Sequence, residues 1–350
     1  MMSKCILGGF ALLILSCGGN QDPTTFFEIQ LEGKPKKVAN GTTLGVTITN
    51  KKNIEIDKVA YFLDGNEIPV SNGKITLETK RLGNKELTAK INFEEGSVEI
   101  EKGIQLLSSK TPEVYTYEIK NVFPHDPSSY TQGLEFAQDT LYESTGKEGR
   151  SKVKKLDFTT GNLFQEIDME SSVFGEGITL LNGKLFHLTW KSGIGYVYDP
   201  GSLEKIKNFS YGESREGWGL CNDGKQLYKS DGTEKIWTLD PETLEETGYI
   251  ETVTHKSIFN KANELEYVDG KIYANVYQKE SMMIIDAASG AIEGVVNFGG
   301  LKSKVTQGGE DWDDVNSVLN GVAYHPERGT FFVTGKNWDK MFEVTISKKP

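Results

Sequence analysis

Five short stretches carry chemically capable side chains at matching places in the chain. They read Gln132-Gly133-Leu134, Glu176-Gly177-Ile178, Trp218-Gly219-Leu220, Asn263-Glu264-Leu265 and Asn320-Gly321-Val322. Their first residues are three amides, one carboxylate and one indole. They recur roughly every 40–45 residues, the length of one four-stranded repeat. The last interval is longer, because it holds an insertion around residues 301–316 rich in Gly, Asp and Glu. If each first residue occupies the same place in its repeat, the five form a ring. A ring that served structure alone would more often be small or apolar, since an unpaired buried polar group costs roughly 1–3 kcal/mol. Residue types alone leave two readings open: a satisfied polar network around water or a metal ion, or a site for an amide-bearing ligand. Glu176 is the only carboxylate at the five first positions and so the candidate acid–base group. His125, His187, His255 and His325 are scattered, without the paired spacing of a zinc site.

The elements that must position this ring are strands. From residue 111 onward a turn followed by a strand ending in an aromatic repeats: Asn182-Gly183-Lys184-Leu185-Phe186, Asp223-Gly224-Lys225-Gln226-Leu227-Tyr228 and Asp269-Gly270-Lys271-Ile272-Tyr273, with looser copies at residues 139–142 and 328–332. A second unit, a strand closed by an aspartate turn, recurs at Asp157, Asp199, Asp240 and Asp286. Five copies of the first unit predict an all-β fold, a five-bladed β-propeller over residues 111–347, in which the first strand of each blade lines a central channel. Glycine beside the ring residues lets backbones crowd where that channel is narrow. Residues 26–108 alternate apolar and polar with a period of two, as in Phe27-Glu28-Ile29-Gln30-Leu31, and predict a small immunoglobulin-like β-sandwich. That stretch has no His, Cys or Trp, so no chemistry is expected there, and of a spacer and a docking surface the spacer is the simpler expectation.

The net charge of −11 argues against nucleic-acid partners, which need a basic surface. At the N-terminus, Lys4 and the apolar run Cys5–Leu15 read as a signal peptide over residues 1–16. It ends in Ile14-Leu15-Ser16-Cys17-Gly18, which resembles a bacterial lipobox in which Cys17 is lipidated and becomes the mature N-terminus. Residues 17–25 then form a polar tether, and the chain is expected to be an exported bacterial lipoprotein, anchored to a membrane on its periplasmic or cell-surface side. Of three cysteines only Cys221 would remain unmodified, leaving no intramolecular disulfide.

At the ring residues the sequence resembles the plant-type glutaminyl-peptide cyclotransferases, also called glutamine cyclotransferases. The matching stretches include Phe123-Pro124-His125-Asp126 with Tyr130-Thr131-Gln132-Gly133-Leu134, Phe174-Gly175-Glu176-Gly177, Leu188-Thr189-Trp190 and Glu216-Gly217-Trp218-Gly219-Leu220. Asn263-Glu264-Leu265-Glu266, Ala274-Asn275-Val276-Tyr277, Asn320-Gly321-Val322-Ala323 and Thr334-Gly335-Lys336-Asn337-Trp338 complete an ordered set over residues 112–346. The resemblance implies a five-bladed propeller that closes the N-terminal glutamine of peptides and proteins to pyroglutamate with release of ammonia. It implies no catalytic cofactor and admits a structural calcium ion. It makes Glu176 the acid–base residue, Lys336 and Asn263 the donors to the oxyanion, and Gln132 and Asn320 polar contacts to the substrate. Phe174, Trp190, Trp218, Tyr277 and Trp338 would wall the pocket; Tyr277 stands where the family often has tryptophan. The scattered histidines separate this chain from the zinc-dependent cyclases of animals. Two rival readings are a non-catalytic surface propeller that binds peptide termini or another lipoprotein, and a hydrolase using a central calcium, which would place several carboxylates in the ring.

Overall fold

Alternation of apolar and polar residues sets the strands throughout. In Gly83–Phe93 the side chains of Leu87, Ala89, Ile91 and Phe93 are buried and those between them turn outward, as a pleated strand with one covered face requires. The computed structural model describes residues 22–94, 96–307 and 309–349. The signal segment and Cys17 lie outside the described residues. Among the described residues there is no α-helix, only the 3₁₀ turns Pro23–Phe26 and Lys302–Lys304.

Contacts divide the chain into two compact units. Of the described residues, one comprises those up to Pro35, Thr43–Thr76 and Glu86–Gly103; the other comprises Lys36–Thr42, Leu77–Lys85 and those from Ile104 onward. Residues 27–107 form two sheets. The first has the order Phe27–Leu31, Thr42–Asn50, Lys74–Leu77. The second runs Lys37–Ala39, Gly96–Leu107, Gly83–Phe93, Ile56–Leu63, Asn66–Ile68, with its first pair parallel.

The remainder of the chain is built from consecutive antiparallel strands. Three sheets have four strands each: Thr131–Ala137 to Leu163–Asp168, Gly175–Leu181 to Lys205–Ser210, and Leu220–Asn222 to Glu246–Glu251. An eight-stranded sheet follows, made of the meander Ala262–Val268 to Ile292–Asn297 and the meander Leu319–His325 to Lys340–Lys348. The long strand Glu113–Pro124 joins the two, parallel to Ile292–Asn297 and antiparallel to Lys340–Lys348. An early strand thus completes the last sheet, tying the beginning of this unit to its end.

The repeating aspartates close the turn between third and fourth strands. Oδ1 of Asp157, Asp199, Asp240 and Asp286 accepts backbone N–H groups two or three residues on, from Thr159, Ser202, Thr243 and Ser289 respectively. The first strands of successive sheets lie side by side, and Leu319–His325 lies against both Ala262–Val268 and Thr131–Ala137, so the five close on themselves. The approach is tight: Gly177 N–H donates to the Trp218 carbonyl at 2.6 Å, and a Cβ at Gly219 would fall on the Asn263 carbonyl. Where four repeats place glycine after the ring residue, the fourth has Glu264. Its buried carboxylate accepts from Leu134 N (3.2 Å) and Val322 N (2.7 Å), joining three first strands.

Candidate active site

Four of the five ring residues sit where their strand breaks register. The pairing of first and second strands shifts between Thr131 and Gly133, Gly175 and Ile178, Ala262 and Leu265, and Leu319 and Val322. Gln132, Glu176, Asn263 and Asn320 fall inside these interruptions, and Trp218 just precedes Leu220–Asn222. A bulge re-aims a side chain that regular pairing would direct elsewhere, so the same local defect, used repeatedly, turns polar groups toward one cavity.

That cavity has a volume of about 280 Å³, at the small end for ligand pockets. Its polar groups are Gln132, Glu176, Asn263 and Lys336, and its aromatic walls are Tyr130, Phe174, Trp190, Trp218 and Tyr277. The rings support one another edge to face: Phe174 against Trp190 at 5.5 Å, Trp218 against Tyr277 at 5.3 Å and Tyr130 against Phe174 at 6.1 Å between centroids. A larger groove of about 800 Å³, with Lys207, Phe209 and Tyr249 among its walls, lacks any such convergence of buried polar groups.

Gln132, Glu176, Asn263 and Lys336 are all buried. Glu176 hydrogen-bonds Gln132 through its carboxylate, yet its Oε2 has no partner. Burial pushes the Glu176 carboxyl well above the ordinary range; the Lys336 charge opposes this, and the charge of Glu216 adds to it. The Lys336 ammonium lies over the rings of Tyr130 (4.8 Å) and Tyr277 (5.6 Å). Burial brings it down to about 8 against the pull of Glu176. Its turn is pinned to the opposite loop, because Asn337 donates from N to the Ser129 carbonyl and from Nδ2 to the Pro127 carbonyl. Beneath Gly175, His187 bonds Ser144 Oγ through Nε2 (2.6 Å), and burial lowers it to about 3, so it is neutral at working pH. His125 bridges the Trp338 carbonyl and Glu143.

Two residues expected to contact substrate lie elsewhere. Asn320 is behind Gln132, its Nδ2 donating to Gln132 Oε1 (3.0 Å) and the Thr131 carbonyl (2.9 Å). It thereby fixes which way the Gln132 amide faces. Trp338 is fully buried among Met282, Phe298, Leu319 and Phe342, packed under Gly335, and donates to the Ser317 carbonyl. The chain turns between Lys336 and Trp338, with Asn337 at a φ of 60°, and this turn sends the indole into the core instead of the cavity. Two contributors were not singled out from sequence. Tyr130 belongs to one of the stretches that carry the resemblance, and in sequence only its aromatic type signals a wall. Glu216 accepts at one oxygen, Oε2, from Trp190 Nε1 (2.8 Å) and Trp218 Nε1 (2.9 Å). Among the described residues no group of three or more His, Cys, Asp or Glu could hold a metal ion.

The sequence profile described as glutamine cyclotransferase matches residues 87–346. A glutaminyl-peptide cyclotransferase of Arabidopsis thaliana is 37% identical over 233 residues, which cover 66% of this chain and 71% of that protein. The crystal structure of Myxococcus xanthus glutaminyl cyclase superposes with a TM-score of 0.63 at 28% identity, covering 68% of this chain and 100% of that one. With an all-β architecture, a pocket of buried amides, acid and lysine, and these matches, the chain belongs to the glutamine cyclotransferase family of enzymes.

Proposed function

We propose that the aromatic pocket is where an N-terminal glutamine is cyclised, with Glu176 carrying the proton. The observation that carries this reading is the Glu176 carboxylate itself: buried on the pocket wall, held by Gln132 on one side, and free at Oε2. The substrate's α-amine, neutral in part near its pKa of about 8, attacks the carbon of its own γ-carboxamide. The new C–N bond leaves a tetrahedral centre with negative charge on the former amide oxygen. Lys336 and Asn263 donate to that oxygen. Glu176 takes the proton from the attacking nitrogen and delivers it to the γ-nitrogen, whose bond to carbon then breaks. Ammonia leaves, and the peptide keeps a five-membered lactam. Ring closure is intramolecular, so the aromatic walls contribute by holding side chain and amine together and excluding water.

The same reading makes residues 111–347 a five-bladed propeller. The successive four-stranded antiparallel sheets and the closed cycle of first strands support it. The two sheets of residues 27–107 support a sandwich serving as spacer. Cys17 is the proposed lipid attachment site, and no step of the reaction is assigned to a metal. Ammonia release from a Gln-initiated dipeptide, with Glu176→Gln alongside, tests the chemistry. A folded wild type inactive on several such peptides would refute it. Retention in the membrane fraction, lost in Cys17→Ser, tests the anchor.

A further inference from the structure

We propose that Glu216 is the positioning residue of this pocket: one carboxylate oxygen holds the indoles of Trp190 and Trp218 together and so fixes the wall against which the substrate packs. The inference rests on reading the pocket as the cyclase site. Trp190 follows the strand Lys184–Thr189 and Trp218 precedes Leu220–Asn222, so the two rings come from different sheets. Neither indole has the other as a ring neighbour; Trp190 leans on Phe174 and Trp218 on Tyr277. What joins the two halves of the wall is Glu216 Oε2, at 2.8 Å and 2.9 Å from the two indole nitrogens. Both bonds are charge-assisted, the stronger kind.

Glu216 lies in a stretch without regular pairing, and the structure compensates with side chains. Lys229 Nζ, fully buried, donates to the Glu216 carbonyl (2.8 Å) and to Ser214 Oγ, whose hydroxyl in turn bonds Glu246. Gly217 N–H donates to the Trp190 carbonyl (3.0 Å) and Trp218 N–H to the Ser230 carbonyl (3.0 Å). The carboxylate is thus presented by a backbone tied to both sheets, as a group meant to hold others must be. It also acts at a distance on Glu176. The charged and titratable groups that bear on Glu176 are Lys336, Glu216, Tyr130 and Tyr211, with His187 hydrogen-bonded to its backbone, and of these the Glu216 charge favours its protonated form. One residue therefore shapes the wall and biases the proton carrier.

The test compares Glu216→Gln with Glu216→Asp in the full chain. The five tryptophans give few indole N–H signals, and Trp190→Phe and Trp218→Phe assign the two that matter. In Glu216→Gln both indole protons should exchange with solvent at least about tenfold faster, KM should rise about tenfold, and the acidic limb of kcat/KM should move to lower pH. Glu216→Asp keeps the charge on a shorter arm, so KM should rise while the acidic limb stays. A residue that merely stabilised the loop would not separate these two readouts. Unchanged indole exchange in Glu216→Gln overturns the proposal, as does faster exchange with KM and the acidic limb both unmoved. If wild type releases no ammonia, the cyclase reading fails instead, and the exchange experiment still decides whether the clamp exists.

Discussion

Replacing Glu176 by glutamine keeps the side chain's volume and removes its capacity to accept and return a proton. The effect on rate follows from the role. Acid–base assistance by a positioned group is worth about 10²–10⁴, and kcat for a Gln-initiated dipeptide should fall by that factor while Gln132, Asn263 and Lys336 continue to bind. The effect on stability runs the other way. Burial raises the Glu176 carboxyl above its ordinary value of 4.5. The stabilising contribution of a raised carboxyl is complete below that ordinary value and is lost as pH rises through the folded-state value. Wild type should therefore lose stability relative to Glu176→Gln as pH increases from about 4.5. Thermal melts of both proteins from pH 4 to pH 9, beside ammonia release at each pH, separate the two effects. The reasoning fails if Glu176→Gln keeps more than a tenth of wild-type kcat, or if the difference in melting temperature does not change with pH.

Lys336→Met should lower kcat by about 10²–10³, the usual cost of an oxyanion donor. Because burial depresses this lysine to about 8, the stability it contributes is present above its ordinary 10.5 and lost as pH falls through 8, so the methionine variant should gain on wild type near pH 7 and not near pH 11. Wild-type rate should decline as pH rises past 8 with loss of the ammonium. Asn320→Ala leaves Gln132 Oε1 and the Thr131 carbonyl without their donor, which should cost about 1–3 kcal/mol in denaturant unfolding and raise KM as the Gln132 amide turns. Trp338→Ala should cost about 3–5 kcal/mol of stability as a core truncation, with KM for the folded fraction little changed. The same substitution at Trp190 should do the reverse.

The strands were legible because their signals are local. Asp-Gly and Asn-Gly turns need only neighbouring residues, and Asn182, Gly183, Asp269 and Gly270 all carry the positive φ such turns demand. The aspartate turns likewise complete their hydrogen bonds within three residues. The strand Glu113–Pro124 was not legible as the partner of Lys340–Lys348, because their pairing spans nearly the whole second unit and no local pattern encodes it. Glu264 was equally hidden. Its position read as one departure from a run of glycines, and only the closed arrangement shows that it fills the gap with two backbone bonds to other sheets.

The site divides along the same line. Gln132, Glu176, Trp218 and Asn263 could be aligned because each repeat contributes one residue at the start of its first strand, and that periodicity survives in sequence. Asn320 shares it, yet its side chain serves Gln132 rather than the cavity. Equivalence of backbone position therefore fixes where a side chain starts and not what it meets. Two residues before the ring position the other repeats have Tyr130, Phe174, Lys261 and Val318, so the carboxylate of Glu216 is particular to one repeat and periodicity passes over it. What it does depends on two indoles from different sheets arriving at one oxygen, a relation that exists only after folding. Repeats reveal the parts of a site that are copied from sheet to sheet. The residues that hold those parts at working distance are particular to one place, and in this chain they are the carboxylate between Trp190 and Trp218 and the amide behind Gln132.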